Sequence, residues 1–235
     1  MKTALITGGA RRIGAEITKT LHKNNFNVII HCHQSIESAK ELAEDLNRIR
    51  DNSASIVQFD LKDIDSISQH VEEVQSLDVL INNASIFYPT PLDSINTQAV
   101  LDLMQVNCFA PYFLSIALKD KLTQKEGQII NLVDIYSHKP IKDYSAYSMS
   151  KSALAMLTKS LALDLAPHVR VCGVSPGAIL WPSQSSEKEH TRILDKVPLK
   201  AKGDPKNITE SVIFLINSSY ITGEILTVDG GRLIA

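Results

Sequence analysis

Cysteine is scarce in this chain, and what there is cannot staple it. Cys32, Cys108 and Cys172 are odd in number, far apart and set in apolar or strand-like segments. They read as reduced, mostly buried thiols of a cytoplasmic protein, not as a disulfide framework. No two have the spacing of metal ligands. No apolar run approaches the roughly 18 residues of a membrane span. One lysine and a short apolar stretch precede the first glycines, so no signal peptide is expected. Charge of one sign is lacking too: the net charge is −2, without the basic patch that nucleic-acid binders usually show. Glycine is absent between Gly14 and Gly127, so the early cluster Gly8, Gly9 and Gly14 marks a place where backbone turns sharply or meets a ligand. No repeat, low-complexity tract or linker divides the 235 residues, of which 44% are hydrophobic. One α/β domain spanning residues 1–235 is expected.

What is present alternates strand and helix. Lys2–Thr7 reads as a buried strand running into Gly8-Gly9-Ala10-Arg11-Arg12-Ile13-Gly14. Ile13, Ile17 and Leu21 then recur at helical spacing. Such a turn can cradle a phosphate on backbone N–H groups and a helix N-terminus, or be plain βα geometry. A second strand, Asn27–His31, ends in Cys32-His33-Gln34-Ser35 with no acid before Glu37. A ribose-binding carboxylate belongs about there in an NAD site. Its absence, with Arg12, two imidazoles and a hydroxyl at hand, favours NADP. His31 and His33 have no evident third partner for a metal. Helices are expected over Ser35–Ile49, with Ser35 as N-cap, and over Asp63–Val74. Strands are expected at Ala54–Phe59 and Leu77–Ile81. Right-handed crossovers make this order a parallel, doubly wound, Rossmann-like sheet of about seven strands with helices on both faces.

Past the fourth strand, Ile86-Phe87-Tyr88-Pro89-Thr90-Pro91 forms a stiff aromatic lip. It either packs its own rings or offers a wall to a flat substrate. Helices follow over Ser94–Val106 and Ala110–Leu122, with a kink expected at Asn107. Gln128–Val133 reads as a buried strand with Asp134 at its carboxyl end. Tyr147 and Lys151, four apart, share one face of the next helix. A carboxylate, a phenol and an ammonium thus converge where open α/β sheets bind ligands, a set suited to moving protons. Asp134 could instead simply cap the next turn. Strands at Val169–Val174 and Glu224–Val228 and a helix at Asp204–Ser218 complete the chain. Ala178–Thr191, with Trp181, Pro182, Ser183, Ser185 and Ser186, reads as a mobile flap.

Thr7-Gly8-x-x-x-Arg12-x-Gly14, Asn82-Asn83-Ala84, Asn107, Tyr147-x-x-x-Lys151 and Pro176-Gly177 together resemble the short-chain dehydrogenase/reductases over essentially the whole chain. Three features bring the chain closer to the pteridine reductases and the related dihydromonapterin reductases. Arg12 stands for the usual middle glycine, Asp134 stands where most members carry serine, and Asn83–Pro91 looks like the pteridine reductase lip. Gln34 departs from their pattern, where a basic residue is common.

The resemblance implies a dinucleotide-binding half over about 1–90 and a catalytic half over about 91–235. It implies hydride transfer from NADPH to a C=N bond of a pterin or folate. Gly8, Arg12, Ile13 and Gly14 would cradle the pyrophosphate, and His33 and Ser35 would lie near the 2′-phosphate. Asp60 and Leu61 would border adenine, Asn83, Ala84 and Ser85 would flank ribose and phosphate, and Pro176 and Gly177 would line the carboxamide. Lys151 would hold the ribose and lower the pKa of Tyr147, the acid, while Asn107 placed a relay water. Asp134 would act with Tyr147 on a ring nitrogen. Phe87 would stack the pterin, and Arg12 and Ser85 would reach it. A homotetramer is the family habit. The alternatives are a reductase of carbonyl or 3-oxoacyl thioester groups, and a non-catalytic NADP sensor.

Overall fold

Parallel strands that are covered on both faces carry near-continuous apolar runs, and this chain supplies seven. The computed structural model describes residues 1–181 and 186–235. Strand β1 (Lys2–Ile6) runs through the glycine turn into α1 (Arg12–Lys23), and β2 (Phe26–Cys32) leads to α2 (Ile36–Ile49). After β3 (Ala54–Gln58) come a 3-10 turn and the short α3 (Ile67–His70). After β4 (Val79–Asn82) come the lip, α4 (Thr97–Met104), a π turn at Gln105–Phe109, α5 (Ala110–Ala117) and α6 (Lys119–Thr123). Strand β5 (Gln128–Leu132) leads through a 3-10 turn at Ile135–Ser137 to α7 (Ser145–Asp164). Strand β6 (Arg170–Pro176), α8 (Glu187–Leu194), α9 (Pro205–Asn217) and β7 (Ile225–Val228) follow.

All strands pair in parallel in the order β3-β2-β1-β4-β5-β6-β7, the single Rossmann-like α/β domain expected. Successive residues feed opposite faces. Ile6, Ile30 and Val174 pack with Ile17, Leu21, Ile208 and Val212 under α1 and α9. Leu5, Leu80, Ile129 and Val171 pack with Ile67, Leu114 and Leu161 under α3, α5 and α7. From β1 the chain steps outward to β2, and later inward to β4. The crevice between those two directions, at the strands' carboxyl ends, is the expected ligand site of such a sheet.

Several expectations need correction. The helix expected over Asp63–Val74 is only a turn at Ile64–Ser66 plus α3. Its run of Ser, Asp, His and β-branched residues favours helix weakly, although Ile67, Val71 and Val74 are still buried. Ser35 occupies the N-cap position of α2 without making a side-chain cap bond. The end of the expected flap is helix, from Glu187 on. Ser186 and Glu189 form a capping box on α8, which gives the helix a firm start, and Trp181 stacks on His190 at 4.1 Å. Pro182, Ser183 and Ser185 lie outside the described residues.

Thr97–Ala117 is continuous through the π turn. By length and composition it could cross a membrane, with a mean hydropathy of 1.3, which the sequence reading did not anticipate. Here it is a core helix: Leu103, Val106, Ala110 and Leu114 are buried.

The end of β2 holds the glycine turn. His31 is 2% exposed. Its Nδ1 accepts from Gly8 N–H at 3.1 Å, and Nε2 faces Phe59 O at 3.2 Å. Nδ1 must therefore be bare and Nε2 protonated: a neutral imidazole. Gly9 N–H donates to His31 O at 3.0 Å. His31 is thus a peg for the loop, not a phosphate ligand. Burial is the main cause that holds its pKa down to about 4. An unfolded chain takes up this proton near 6.5 and the folded one only near 4. The stability is fully present above 6.5 and lost as pH falls toward 4. In urea unfolding at about pH 7 and about pH 5, His31→Gln is expected to lower stability at the higher pH and to reduce the difference between the two.

Candidate active site

Asp134 lies two residues beyond the end of the buried strand β5, and its carboxylate caps the turn that follows: Oδ1 accepts from Tyr136 N–H at 2.9 Å. Oδ2 accepts from the Tyr147 hydroxyl at 2.8 Å. The capping and chemical readings of Asp134 therefore describe two oxygens of one group. Tyr147 and Lys151 are buried on α7. Lys151 lies 5.9 Å from the Tyr147 ring centre, and its Nζ donates to Leu132 O at 2.9 Å.

The electrostatics run against one expectation. Burial, and then the charge and hydrogen bond of Asp134, raise the Tyr147 pKa, while Ser85 opposes in part. Lys151 does not make Tyr147 a ready phenolate, because the phenol points at a carboxylate that favours the protonated form. Burial lowers Lys151 to about 8, with Asp134 opposing. Burial likewise raises Asp134, against the Tyr136 N–H, Lys151, Tyr147 and Arg232. The three groups act on one another's protons and titrate as a set.

A cavity of about 190 Å³ brings together Arg12, Ile13, Asn83, Ser85, Asp134, Tyr147, Lys151, Pro176 and Gly177, closed by Ile179 and Leu180. A second, of about 280 Å³, continues along Gly8, Arg11, Arg12, Ile13, Gly14, Asn83, Ala84 and Ser85. A larger hollow between α1 and α9, about 690 Å³, shares none of these residues. The loop between the two cavities is tightly determined. Gly8 has φ +60°, and a β-carbon on Gly14 would lie 2.1 Å from Gly8 O. Asn83 Nδ2 donates to Thr7 O (2.9 Å) and Gly8 O (3.2 Å), and Thr7 Oγ1 accepts from Asn83 and Ala84 N–H. Arg12, in the place of a glycine, has φ 52°. Left-handed backbone costs a residue with a β-carbon about 1 kcal/mol, and such outliers gather at functional sites. The trench fits a dinucleotide: backbone N–H groups at a helix start, two exposed arginines and an elongated floor.

Other named residues lie apart. Asn107 is fully buried at the π turn, a form frequent at functional sites. Its amide is committed: Oδ1 accepts from Ile86 N–H and Ser85 Oγ, and Nδ2 donates to Ile86 O and Ser150 Oγ. Its side chain braces the lip and ties it to α7. The lip divides its work. Tyr88 packs inward and donates to Ala99 O at 2.7 Å. Phe87, 47% exposed, lies flat on Tyr144 at 4.5 Å and edge-on to Tyr147 at 4.7 Å, so one of its faces is already taken. At the far end of the trench, His33 Nε2 lies 3.7 Å from Asp60 Oδ2. The acid missing from β2 is thus partly replaced from the end of β3. Leu61 beside it is buried, and Ser35 is partly buried. Sequence reasoning missed Tyr136, Tyr144 and Arg232. Only the aromatic pair carried a signal, being close in sequence to Asp134 and Tyr147.

A phosphate-type loop leading into a buried Tyr–Lys pair at a sheet's carboxyl edge defines an α/β oxidoreductase that works on a nicotinamide cofactor. The chain belongs to the short-chain dehydrogenase family, whose pattern matches residues 2–192. It is 35% identical over 277 residues to pteridine reductase 1 of Leishmania tarentolae, covering 97% of this chain and 95% of that one. It is 33% identical to a 3-oxoacyl-(acyl-carrier-protein) reductase of Rickettsia prowazekii (strain Madrid E), covering 99% and 97%. It is 30% identical to a dihydromonapterin reductase of Enterobacter sp. (strain 638), covering 97% and 95%.

Lys151 is a buried cation held by a single carbonyl, and replacing such a charge by an apolar chain is often neutral or stabilising. Lys151→Met is expected to lower turnover by about 100-fold or more while melting no lower than the parent near neutral pH. Paired calorimetry and initial rates check this.

Proposed function

We propose that this protein is an NADPH-dependent pteridine reductase, which reduces a C=N bond of a dihydropterin of the biopterin, monapterin or folate type to the tetrahydro form. The observation that carries the reading is the hydrogen bond from Tyr147 to Asp134. A serine at this position would donate to a carbonyl oxygen. A carboxylate there repels a developing alkoxide, but suits a ring nitrogen that must gain a proton and amino groups that donate. The kinship with pteridine reductase 1 and dihydromonapterin reductase supports it.

Bound NADPH supplies the hydride. The chain's residues do the rest. The turn at Gly8, Arg12, Ile13 and Gly14 holds the phosphates, with Asn83, Ala84, Ser85, Pro176 and Gly177 along the floor. Lys151 fixes the ribose and keeps positive charge beside Asp134. The Asp134–Tyr147 pair delivers a proton, since burial holds both groups above their ordinary values. The free face of Phe87 takes the flat ring. His33, Ser35 and Arg12 favour the 2′-phosphate of NADP, with Asp60 the opposing influence.

The subunits assemble into a homotetramer, on this reading. Met149, Met156 and Leu163 recur every seventh residue on α7 and are 52%, 62% and 81% exposed. Tyr112, Phe113 and Ile116 on α5 are exposed as well, and apolar patches of this kind mark interfaces. Three buried free cysteines suit a reducing cytoplasm.

Initial rates with dihydrobiopterin, dihydromonapterin, dihydrofolate and acetoacetyl thioester test the substrate. Turnover of a dihydropterin, preferring NADPH to NADH and falling about 100-fold in Asp134→Asn, is expected. Activity confined to the thioester would instead support the 3-oxoacyl reductase that the Rickettsia relative represents. Light scattering should give four times the 25.9 kDa chain mass, and Met156→Glu should lower it.

A further inference from the structure

The last residues of the described chain bend back over the site. Beyond β7 the Asp229 carboxylate accepts from Gly231 N–H at 2.8 Å and Leu233 N–H at 2.6 Å, and Gly230 and Gly231 take positive φ to allow it. Gly177 lies against this turn, since a β-carbon there would sit 2.6 Å from Asp229 Cβ. The turn presents Arg232. Its Nη2 donates to the Tyr136 hydroxyl at 2.8 Å, and its guanidinium carbon lies 5.4 Å from the centre of that ring. The N–H of Tyr136 is the donor to Asp134 Oδ1. Lys139, on the same loop, donates to Arg232 O at 3.2 Å. An unbroken series of contacts therefore runs from the tail through Tyr136 to Asp134 and on to Tyr147.

We propose that Arg232 is a positioning residue for the Asp134–Tyr147 pair. It locks the Tyr136 turn that caps Asp134, and it adds a fixed positive charge to the one supplied by Lys151. The carboxylate then lies in the field of two cations, one on α7 and one on the tail. The other titratable or charged groups around it are Tyr147 on α7, Tyr136 on its own turn, Tyr144 just before α7 and Arg12 across the cavity, with Cys108 acting on Lys151 from behind. Charge from Arg232 opposes the effect of burial on both Asp134 and Tyr136. A planar guanidinium suits the role because it can bond a phenol and lie against its ring at once.

This inference rests on reading Asp134 and Tyr147 as the proton-moving pair, but its first test needs no substrate. Carboxyl carbon NMR, with the Asp134 signal assigned from Asp134→Asn, follows the titration in the parent, Arg232→Met and Arg232→Lys. Asp134 is expected to titrate at higher pH in Arg232→Met and to return partway in Arg232→Lys. Unchanged titration in a folded Arg232→Met protein overturns the proposal. If that variant does not fold, Tyr136→Phe, which removes only the phenol anchor, decides. An upward displacement supports the role and an unmoved signal refutes it. On an active substrate, the limb of the kcat/KM profile set by Asp134 should move the same way, with kcat lowered about tenfold. If dihydropterins are not turned over but the NMR shift is present, the pterin reading fails and the role of Arg232 stands.

Discussion

A phenol donating to a half-buried carboxylate is the interaction around which this crevice is set. The Tyr147–Asp134 bond joins α7 to the end of β5, so the helix cannot slide along the sheet without breaking it. It also sets the charge pattern. Asp134 makes the phenol's proton harder to remove, the phenol steadies the carboxylate in return, and Lys151, sealed beneath them, is left with a pKa of about 8. A serine in place of Asp134 would leave the same backbone with a different proton inventory. In this fold the sheet supplies the location, and one side chain at a strand's end supplies the kind of chemistry.

The fold was largely legible because parallel strands announce themselves as buried runs and helices by their period. The strands β1 to β4, the long α7 and the disturbance at Asn107 were all visible in this way. What failed had local physical causes. The segment after Asp63 kept the right buried residues but had too little helix propensity to form a full helix. The helix from Glu187 was missed because a capping box of Ser186 and Glu189 is a weak signal against a polar background.

The site was legible in its members but not in their bonds. Asp134, Tyr147, Lys151, Arg12 and Pro176 line one cavity, as their places on strand ends and one helix face require. Their electrostatics could not be read, because the direction of a pKa depends on which atom faces which. Lys151 was expected to act on Tyr147, yet the hydroxyl turns to Asp134. His31 was grouped with phosphate ligands and is instead a neutral peg under the loop. The side-chain amide of Asn107 is committed to the lip and α7, which its place in the sequence did not show. Arg232 stands 98 residues from Asp134 (232 − 134), and no local pattern links them.

The left-handed backbone of Arg12 has an evolutionary corollary. Glycine adopts that conformation freely, so any selection acting on folding alone pushes this codon toward glycine. The loop would then drift to the general form of the family. Arginine persists there only while something rewards its side chain, which makes residue 12 a recorder of selection: among relatives of this protein, its loss to glycine would mark lineages in which that reward has lapsed.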